Sequence, residues 1–113
     1  VNFREQGLVI KTDKGGILIT GCGHPGAVNM IAIVVKELGI EIHTLIGGLH
    51  LMSKSVKEME QIAATLKEMG IKQICPTHCT GDKSIAFLKA SFGDGYIPGG
   101  TGQVIAINQA ISN

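Results

Sequence analysis

One arrangement occurs three times along this chain of 113 residues. An apolar run of strand length is followed by a turn rich in glycine or proline, and the turn is followed by a helical pattern. The turns are Gly21–Gly26, Gly47–His50 and Pro76–Gly81. Such alternation of strands and helices favours an α/β domain in which the strands that feed the helices are parallel.

Each of these turns carries a histidine just past the predicted end of its strand, at His24, His50 and His78. In open α/β sheets, ligands bind beyond the carboxyl ends of the strands. We therefore expect the three histidines to lie along one edge of the sheet. Imidazole is a preferred ligand of zinc and related metals, so the pattern predicts a metal-binding edge.

Hydrophobic periodicity and the positions of glycine predict the individual elements. The predicted strands are 7–12, 17–20, 41–46, 72–75 and 104–107, and the predicted helices are 26–38, 56–69 and 83–92. The turn chemistry of residues 13–16 indicates that the first two strands form an antiparallel hairpin. Ser55 and Glu58 have the spacing of a capping box. The length allows one domain at most, spanning residues 1–113.

The predicted helix 26–38 has almost no polar face, which is typical of a helix buried on several sides. A domain with four or five strands and one layer of helices has too little protein to cover it. We expect a partner chain, a homo-oligomer or another part of the same polypeptide to pack there.

Composition excludes several classes of partner. A formal net charge of +1, with 4% aromatic residues and no long basic run, predicts no nucleic-acid binding. The longest apolar run, Met30–Val35, is far shorter than the ~20 residues of a membrane span, so no membrane association is expected. Three cysteines cannot all pair within the chain, which favours a reducing, cytoplasmic location.

The fourth histidine and two of the cysteines fit structural roles. His43 lies inside a predicted strand and is interpreted as a packing residue, and Cys75 as a small buried hydrophobe. Cys79 follows His78 at the start of a predicted helix, where a thiol can become reactive or bind metal. A structural role for Cys79 is the simpler interpretation.

Two alternatives to a metal site remain open. Gly21-x-Gly23-x-x-Gly26 follows a strand and opens a helix, as in a dinucleotide-binding fingerprint. However, the next strand ends in two glycines without the carboxylate that would hold a ribose, and Pro25 removes one amide from the turn. The other alternative is a non-catalytic assembly subunit with structural histidines.

The segments Leu8–Asn29, Ile46–Leu51 and Pro76–Gly81 occur in an order that resembles the C-terminal half of a metallo-β-lactamase-fold hydrolase. The group most similar to this chain is the dihydropterin-ribofuranosylaminobenzene phosphate synthase-like metal-dependent hydrolases. The resemblance implies half of an αββα sandwich, with a mixed sheet and helices on one face. It also implies a partial domain that lacks the N-terminal half.

The resemblance further implies a divalent metal, with zinc expected and iron or manganese as alternatives, and a small, phosphorylated substrate. His78 falls at the last histidine ligand of the superfamily, and His24 lies beside the bridging aspartate position, which Cys22 occupies here. These two histidines are the expected metal ligands. His50 is the expected catalytic residue, as a general acid or substrate contact, although ligation is also open to it. No His-x-His-x-Asp-His motif occurs in this sequence, so the complementary half would have to supply it.

Overall fold

The computed structural model describes residues 5–106 and contains one four-stranded mixed sheet with three α-helices. The elements in chain order are β1 (Gly7–Thr12), β2 (Gly15–Thr20), α1 (Ala27–Leu38), β3 (Ile42–Gly48), α2 (Val56–Glu68), β4 (Gln73–Thr77) and α3 (Asp82–Phe92). Short 3-10 turns cover His78–Thr80 and Gly93–Gly95. The predicted α/β class with a mixed sheet is therefore confirmed.

Strand order in the sheet follows the sequence, β1-β2-β3-β4. β1 and β2 form the predicted antiparallel hairpin, with Leu8 opposite Ile19. β2, β3 and β4 are parallel to one another, and Leu18, Leu45 and Ile74 are aligned across them. The carboxyl ends of the three parallel strands consequently meet at a single edge.

The helices share one hydrophobic core with one face of the sheet. Leu18, Leu45 and Ile74 belong to a buried cluster that also takes residues from all three helices. The helical members are Ala27, Met30 and Ile31 of α1, Met59, Ala63 and Leu66 of α2, and Leu88 of α3. α1 and α2 connect neighbouring parallel strands, and crossovers of the same right-handed sense pack on the same face of a sheet. α3 follows β4 and joins the same core through Leu88.

Helix α2 begins as its sequence predicts. The Ser55 hydroxyl accepts a hydrogen bond from the Glu58 amide at 3.1 Å, and the Glu58 carboxylate accepts one from the Ser55 amide at 2.9 Å. This reciprocal pair is a complete capping box, and it fixes where the loop from β3 ends.

Helix α1 is less covered in this structure than its apolar sequence predicts. Ala27, Met30 and Ile31 are buried, but Ile33 is 58% exposed and Leu38 is 47% exposed. Residues 5–106 cover only the side of α1 that faces the sheet and α2, as expected for so small a domain, and burial of its other sides by further protein stays a prediction. An apolar strip is left at the surface.

The prediction of a last strand over residues 104–107 is wrong within the described residues. Residues 104–106 have no regular structure, and Ile107 lies outside the described residues. The glycine-rich segment instead returns to the sheet earlier, where Tyr96 forms a parallel bridge with Ile74. No helix in residues 5–106 has the length and apolar character needed to cross a bilayer.

Candidate metal centre

The three histidine-bearing turns meet at the carboxyl edge of the parallel strands. The last register pairs are Thr20 with Gly47 between β2 and β3, and Gly48 with Thr77 between β3 and β4. Each turn therefore leaves the sheet beside the next one. This arrangement brings together residues that are 26 and 28 positions apart in the sequence.

Cys22, His78 and Cys79 form a cluster of potential metal ligands at this edge. One donor atom from each, two thiol sulfurs and a ring nitrogen, lies within 4.8 Å of the others. A tetrahedral zinc site with Zn–S near 2.3 Å and Zn–N near 2.0 Å separates its donors by roughly 3.3–3.8 Å. The donor chemistry and the spacing thus fit a zinc-type ion after small side-chain adjustments. In residues 5–106 no other group of three or more His, Cys, Asp or Glu side chains meets this spacing.

His24 and His50 form a second pair beside this cluster. Their ring centroids are 4.5 Å apart and the ring planes are tilted by 53°. Of the two predicted ligands, His78 lies in the Cys22 cluster, whereas His24 lies against His50 instead. The structure therefore brings the predicted residues to one edge but distributes them between two adjacent groups.

Glu5 joins this edge from the segment before β1. Its Oε2 accepts a hydrogen bond from the Gly23 amide at 3.0 Å, and its Oε1 accepts one from the His24 amide at 3.0 Å. Oε1 also makes a short contact with Nδ1 of His24. Sequence inspection missed Glu5, because no local pattern connects it to a turn 18 residues further along.

The Glu5 carboxylate also bears on the nucleotide-binding alternative. In a dinucleotide fingerprint, the amides of the glycine-rich turn hold phosphate. Here two of those amides, at Gly23 and His24, already donate to a carboxylate of the chain itself. These two amides are therefore already engaged and do not offer a phosphate site, which disfavours the nucleotide-binding alternative.

Backbone strain is concentrated at the strand ends of the site. Among the non-glycine residues in the described range, only His50 and His78 have positive φ values, 53° and 54°. A left-handed conformation costs roughly 1–2 kcal/mol for a residue with a Cβ. Strain of this kind is often found at functional sites, where the surrounding structure maintains it.

Close backbone packing explains why β3 ends in two glycines. A Cβ at Gly47 would lie 2.1 Å from the Thr20 carbonyl oxygen, and a Cβ at Gly48 would lie 2.2 Å from that of Gly21. The Gly48 amide donates to the Gly21 carbonyl at 3.0 Å. The absent side chains allow the turn after β2 to lie directly on the end of β3, so the strand extends two residues further than predicted.

Hydrogen bonds between turns hold the edge together. The buried Thr80 hydroxyl accepts from the Leu49 amide at 3.1 Å and donates to the Thr77 carbonyl at 2.7 Å. The Cys79 thiol donates to the Cys22 carbonyl at 3.0 Å. The loop that carries His50 and the turn that carries Cys22 are thus both fastened to the end of β4.

A cleft of about 270 Å³ opens beside His24 and His50. Its wall is formed by residues 23–29, residues 49–51, Lys54 and Ile62. None of these residues is acidic, and α1 has no acidic residue in its first turn. The cleft therefore combines apolar side chains with the imidazoles of His24 and His50 and the ammonium of Lys54, which can contact the polar groups of a small ligand.

Burial and hydrogen bonding shift the protonation of two groups at the edge. Desolvation raises the pKa of the Cys22 thiol, and the neighbouring Cys79 raises it further. Hydrogen bonding from the His24 amide lowers the pKa of the Glu5 carboxyl, against an opposing effect of desolvation. Without a bound cation Cys22 is therefore held as a thiol, whereas Glu5 is held as a carboxylate.

The residues interpreted as packing residues lie away from this edge. Cys75 is buried within β4. His43 is half-buried in β3, where Nδ1 lies 2.6 Å from the Thr44 hydroxyl. Burial, and then the charges of Lys14 and Lys72, lower the pKa of His43.

Two proteins of Methanocaldococcus jannaschii are similar in sequence to most of this chain. The chain is 42% identical over 81 residues to 7,8-dihydropterin-6-methyl-4-(beta-D-ribofuranosyl)-aminobenzene-5'-phosphate synthase of Methanocaldococcus jannaschii, covering 71% of this chain and 28% of that protein. It is 38% identical over 92 residues to an uncharacterized protein of the same organism, covering 81% of this chain and 34% of that protein. No family model matches the chain.

A solved structure is similar along most of the chain. The crystal structure of Tm1679, a metal-dependent hydrolase of the beta-lactamase superfamily, aligns with a TM-score of 0.83 and 30% sequence identity. The alignment covers 90% of this chain and 40% of Tm1679. The predicted resemblance to metallo-β-lactamase-fold hydrolases, and to the dihydropterin-ribofuranosylaminobenzene phosphate synthase group, is thus confirmed. The chain spans about a third of the length of the curated relatives it matches.

Proposed function

We propose that this chain is part of a metal-dependent hydrolase of the metallo-β-lactamase superfamily and supplies some of the ligands of its metal site. The observation that carries the proposal is the cluster of Cys22, His78 and Cys79. It lies at the carboxyl edge of parallel strands, in a chain that resembles a metal-dependent hydrolase in fold.

The donor set favours zinc. Two thiols and an imidazole are soft or borderline ligands, which zinc accepts readily, whereas manganese prefers oxygen donors. We propose His78 as a ligand through this cluster and His24 as a second ligand from the adjacent histidine pair, with iron as the alternative metal. When bound, such a metal supplies Lewis acidity and lowers the pKa of water.

We propose that the substrate binds in the cleft that His50 lines. His50 lines the cleft and lies 4.5 Å from the ring of His24, so it can donate a proton or a hydrogen bond to a group held there. Lys54 lines the same cleft. The M. jannaschii relative is named for a phosphate-bearing product. We propose a small phosphorylated molecule as the substrate, because a negatively charged group suits this lining.

The outer sheet face, defined as Leu8, Ile10, Ile19 and Ile46, is the proposed contact for a complementary half. Leu8, Ile19 and Ile46 are aligned across β1, β2 and β3, and Ile10 lies on the same side of β1, away from the core that the helices share. Leu8 is 60% exposed and the other three are half-buried. A partly exposed apolar sheet face fits a surface that packs against other protein. The relatives are about three times as long as their matched part, which leaves ample polypeptide for this role.

We also propose a homo-oligomer and a cytoplasmic location. Ile33 and Leu38 leave an apolar strip on α1 that a second copy of the chain would cover in a homo-oligomer. All three cysteines are free in the structure, which agrees with a reducing, cytoplasmic location.

Metal content separates this proposal from the alternatives. We expect the chain, mixed with a separately expressed segment that carries a His-x-His-x-Asp-His motif, to retain zinc in stoichiometric amount by elemental analysis. Cys22→Ser and His78→Ala should each reduce the bound zinc, whereas Cys75→Ser, which changes a buried thiol outside the cluster, should not.

Equal zinc in all four proteins would contradict the assignment of ligands. A complex without zinc, in which α1 is buried in an oligomer, would favour the assembly subunit. Protection from thermal unfolding by NAD or ATP, insensitive to chelators, would favour the nucleotide-binding module.

A further inference from the structure

The Glu5 carboxylate contacts both the backbone and a side chain of the turn after β2. The amides of Gly23 and His24 each donate to a different carboxylate oxygen, and these two bonds already fix both the carboxylate and the turn. The contact between Oε1 and Nδ1 of His24 is additional, and it involves the ring and not the backbone.

The geometry has a chemical consequence for the ring. A neutral imidazole carries its proton on one nitrogen, and the hydrogen bond that the ring makes decides which one. A carboxylate held by two amides can only accept from Nδ1, so Nδ1 carries the proton. The lone pair is then on Nε2.

The exposure of the two side chains agrees with a fixed acceptor and an accessible ring. The Glu5 side chain is only 12% exposed, whereas that of His24 is 41% exposed. His24 also lines the cleft and lies against His50. The partly shielded carboxylate thus contacts a ring that lines the cleft.

We propose that Glu5 is a positioning residue that fixes the orientation of the His24 ring and holds its proton on Nδ1, which leaves the lone pair on Nε2. Pairing of a histidine with a carboxylate is a common way to fix the orientation and raise the basicity of a metal ligand. The use of that lone pair for metal or substrate depends on the proposed function, whereas the position of the proton does not.

The test is the tautomer of His24, read from the ¹⁵N chemical shifts of its ring nitrogens in the metal-free chain, at a pH where the ring is neutral. We expect the Nδ1–H form in the wild type. Glu5→Ala removes the acceptor, and the proton should redistribute to Nε2. Glu5→Gln keeps an oxygen acceptor for the ring and loses the bond to Gly23, so it should retain most of the Nδ1–H form.

Glu60→Ala removes an exposed carboxylate on α2 and is the matched control, with the tautomer expected unchanged. An Nε2–H form in the wild type would overturn the proposal, and this result needs no variant to fold. A Glu5→Ala chain that is folded by circular dichroism but keeps the wild-type tautomer would overturn it as well.

Zinc affinity provides a second measurement that separates the two proposals. If zinc binds the chain with its complementary segment, Glu5→Ala should weaken binding by roughly 10–100-fold, and Glu5→Gln by less. An unchanged affinity in Glu5→Ala would contradict the positioning role. If zinc binds none of the proteins, the proposed function fails, while the tautomer result still decides the role of Glu5.

Discussion

His50 and His78 share a left-handed backbone conformation at the ends of two adjacent parallel strands, with φ values of 53° and 54°. Glycine adopts this conformation without the steric cost that a Cβ brings. His50 and His78 therefore mark this edge as the part of residues 5–106 where the fold maintains an unfavourable non-glycine backbone.

A glycine variant is usually less stable than the alanine variant at the same position, and at the strained His50 we expect the opposite. His50 is exposed, so truncation removes little packing. We expect His50→Gly to be more stable than His50→Ala by ~1 kcal/mol, because only glycine relieves the positive φ. Chemical denaturation of the two variants measures the difference. An alanine variant of equal or greater stability would show that the backbone is relaxed at this position.

The capping box should make a measurable contribution to α2. Ser55→Ala removes the acceptor of the Glu58 amide and should lower the free energy of unfolding by about 1 kcal/mol. Ser53→Ala, an exposed serine two residues earlier, is the control and should leave the melting temperature unchanged. Equal melting temperatures for both variants would contradict the contribution of the cap.

Acid should weaken the same cap. Hydrogen bonding from the Ser55 amide lowers the pKa of Glu58, so its stabilising effect is present above the usual glutamate pKa and is lost as the pH falls through the lowered value. The stability difference between wild type and Glu58→Gln should therefore shrink on acidification. A difference that grows at low pH would have the wrong sign.

The titration of His43 should make the free energy of unfolding depend on pH, in a range above that of Glu58. Burial lowers its pKa, so between that value and the ordinary value near 6.5 the unfolded chain binds more protons than the folded chain. The free energy of unfolding should rise as the pH increases through this window. His43→Gln should flatten the rise, and denaturation curves at several pH values provide the measurement. Parallel pH profiles for the two proteins would rule out this origin.

The Thr80 hydroxyl should be important for the loop that carries His50. Thr80→Val keeps the shape but leaves the buried Leu49 amide without its acceptor, at an expected cost of about 1–3 kcal/mol. Amide hydrogen exchange should accelerate at Leu49. Thr101→Val, at an exposed site, serves as the control for the substitution itself. Unaltered exchange at Leu49 would mean that another group accepts this hydrogen bond.

Zinc binding should tighten as the pH rises. Desolvation raises the pKa of Cys22, so binding must displace a proton from the thiol. In the complex with the complementary segment, the slope of log affinity against pH should decrease in Cys22→Ser and stay unchanged in Cys75→Ser. A slope insensitive to both substitutions would remove Cys22 from the ligand set.

The strands and helices were predictable because local signals define them. Gly39 ends α1 in a left-handed conformation and the Ser55–Glu58 pair begins α2, whereas Pro76, predicted to end a strand, lies inside β4. The shared edge was predictable for a different reason. In a sheet of parallel strands, topology alone determines which turns meet.

The way the side chains group within this edge could not be predicted from the sequence. Whether His24 faces His50 or the Cys22 cluster depends on the turn conformations, and no local pattern in the sequence predicts the positive φ values of His50 and His78. The contact of Glu5 joins residues that no periodic pattern connects. The periodicity of α1 likewise does not show which of its apolar side chains residues 5–106 leave exposed.

The paired glycines at the end of β3 have a consequence for mutational tolerance. Neither Gly47 nor Gly48 has a functional group, yet a single added methyl at either would collide with the backbone of the neighbouring turn. The turn carrying Cys22 would then be displaced from the strand end carrying His78. In a saturation mutagenesis screen scored on metal binding, these two positions should tolerate as few substitutions as the ligands themselves.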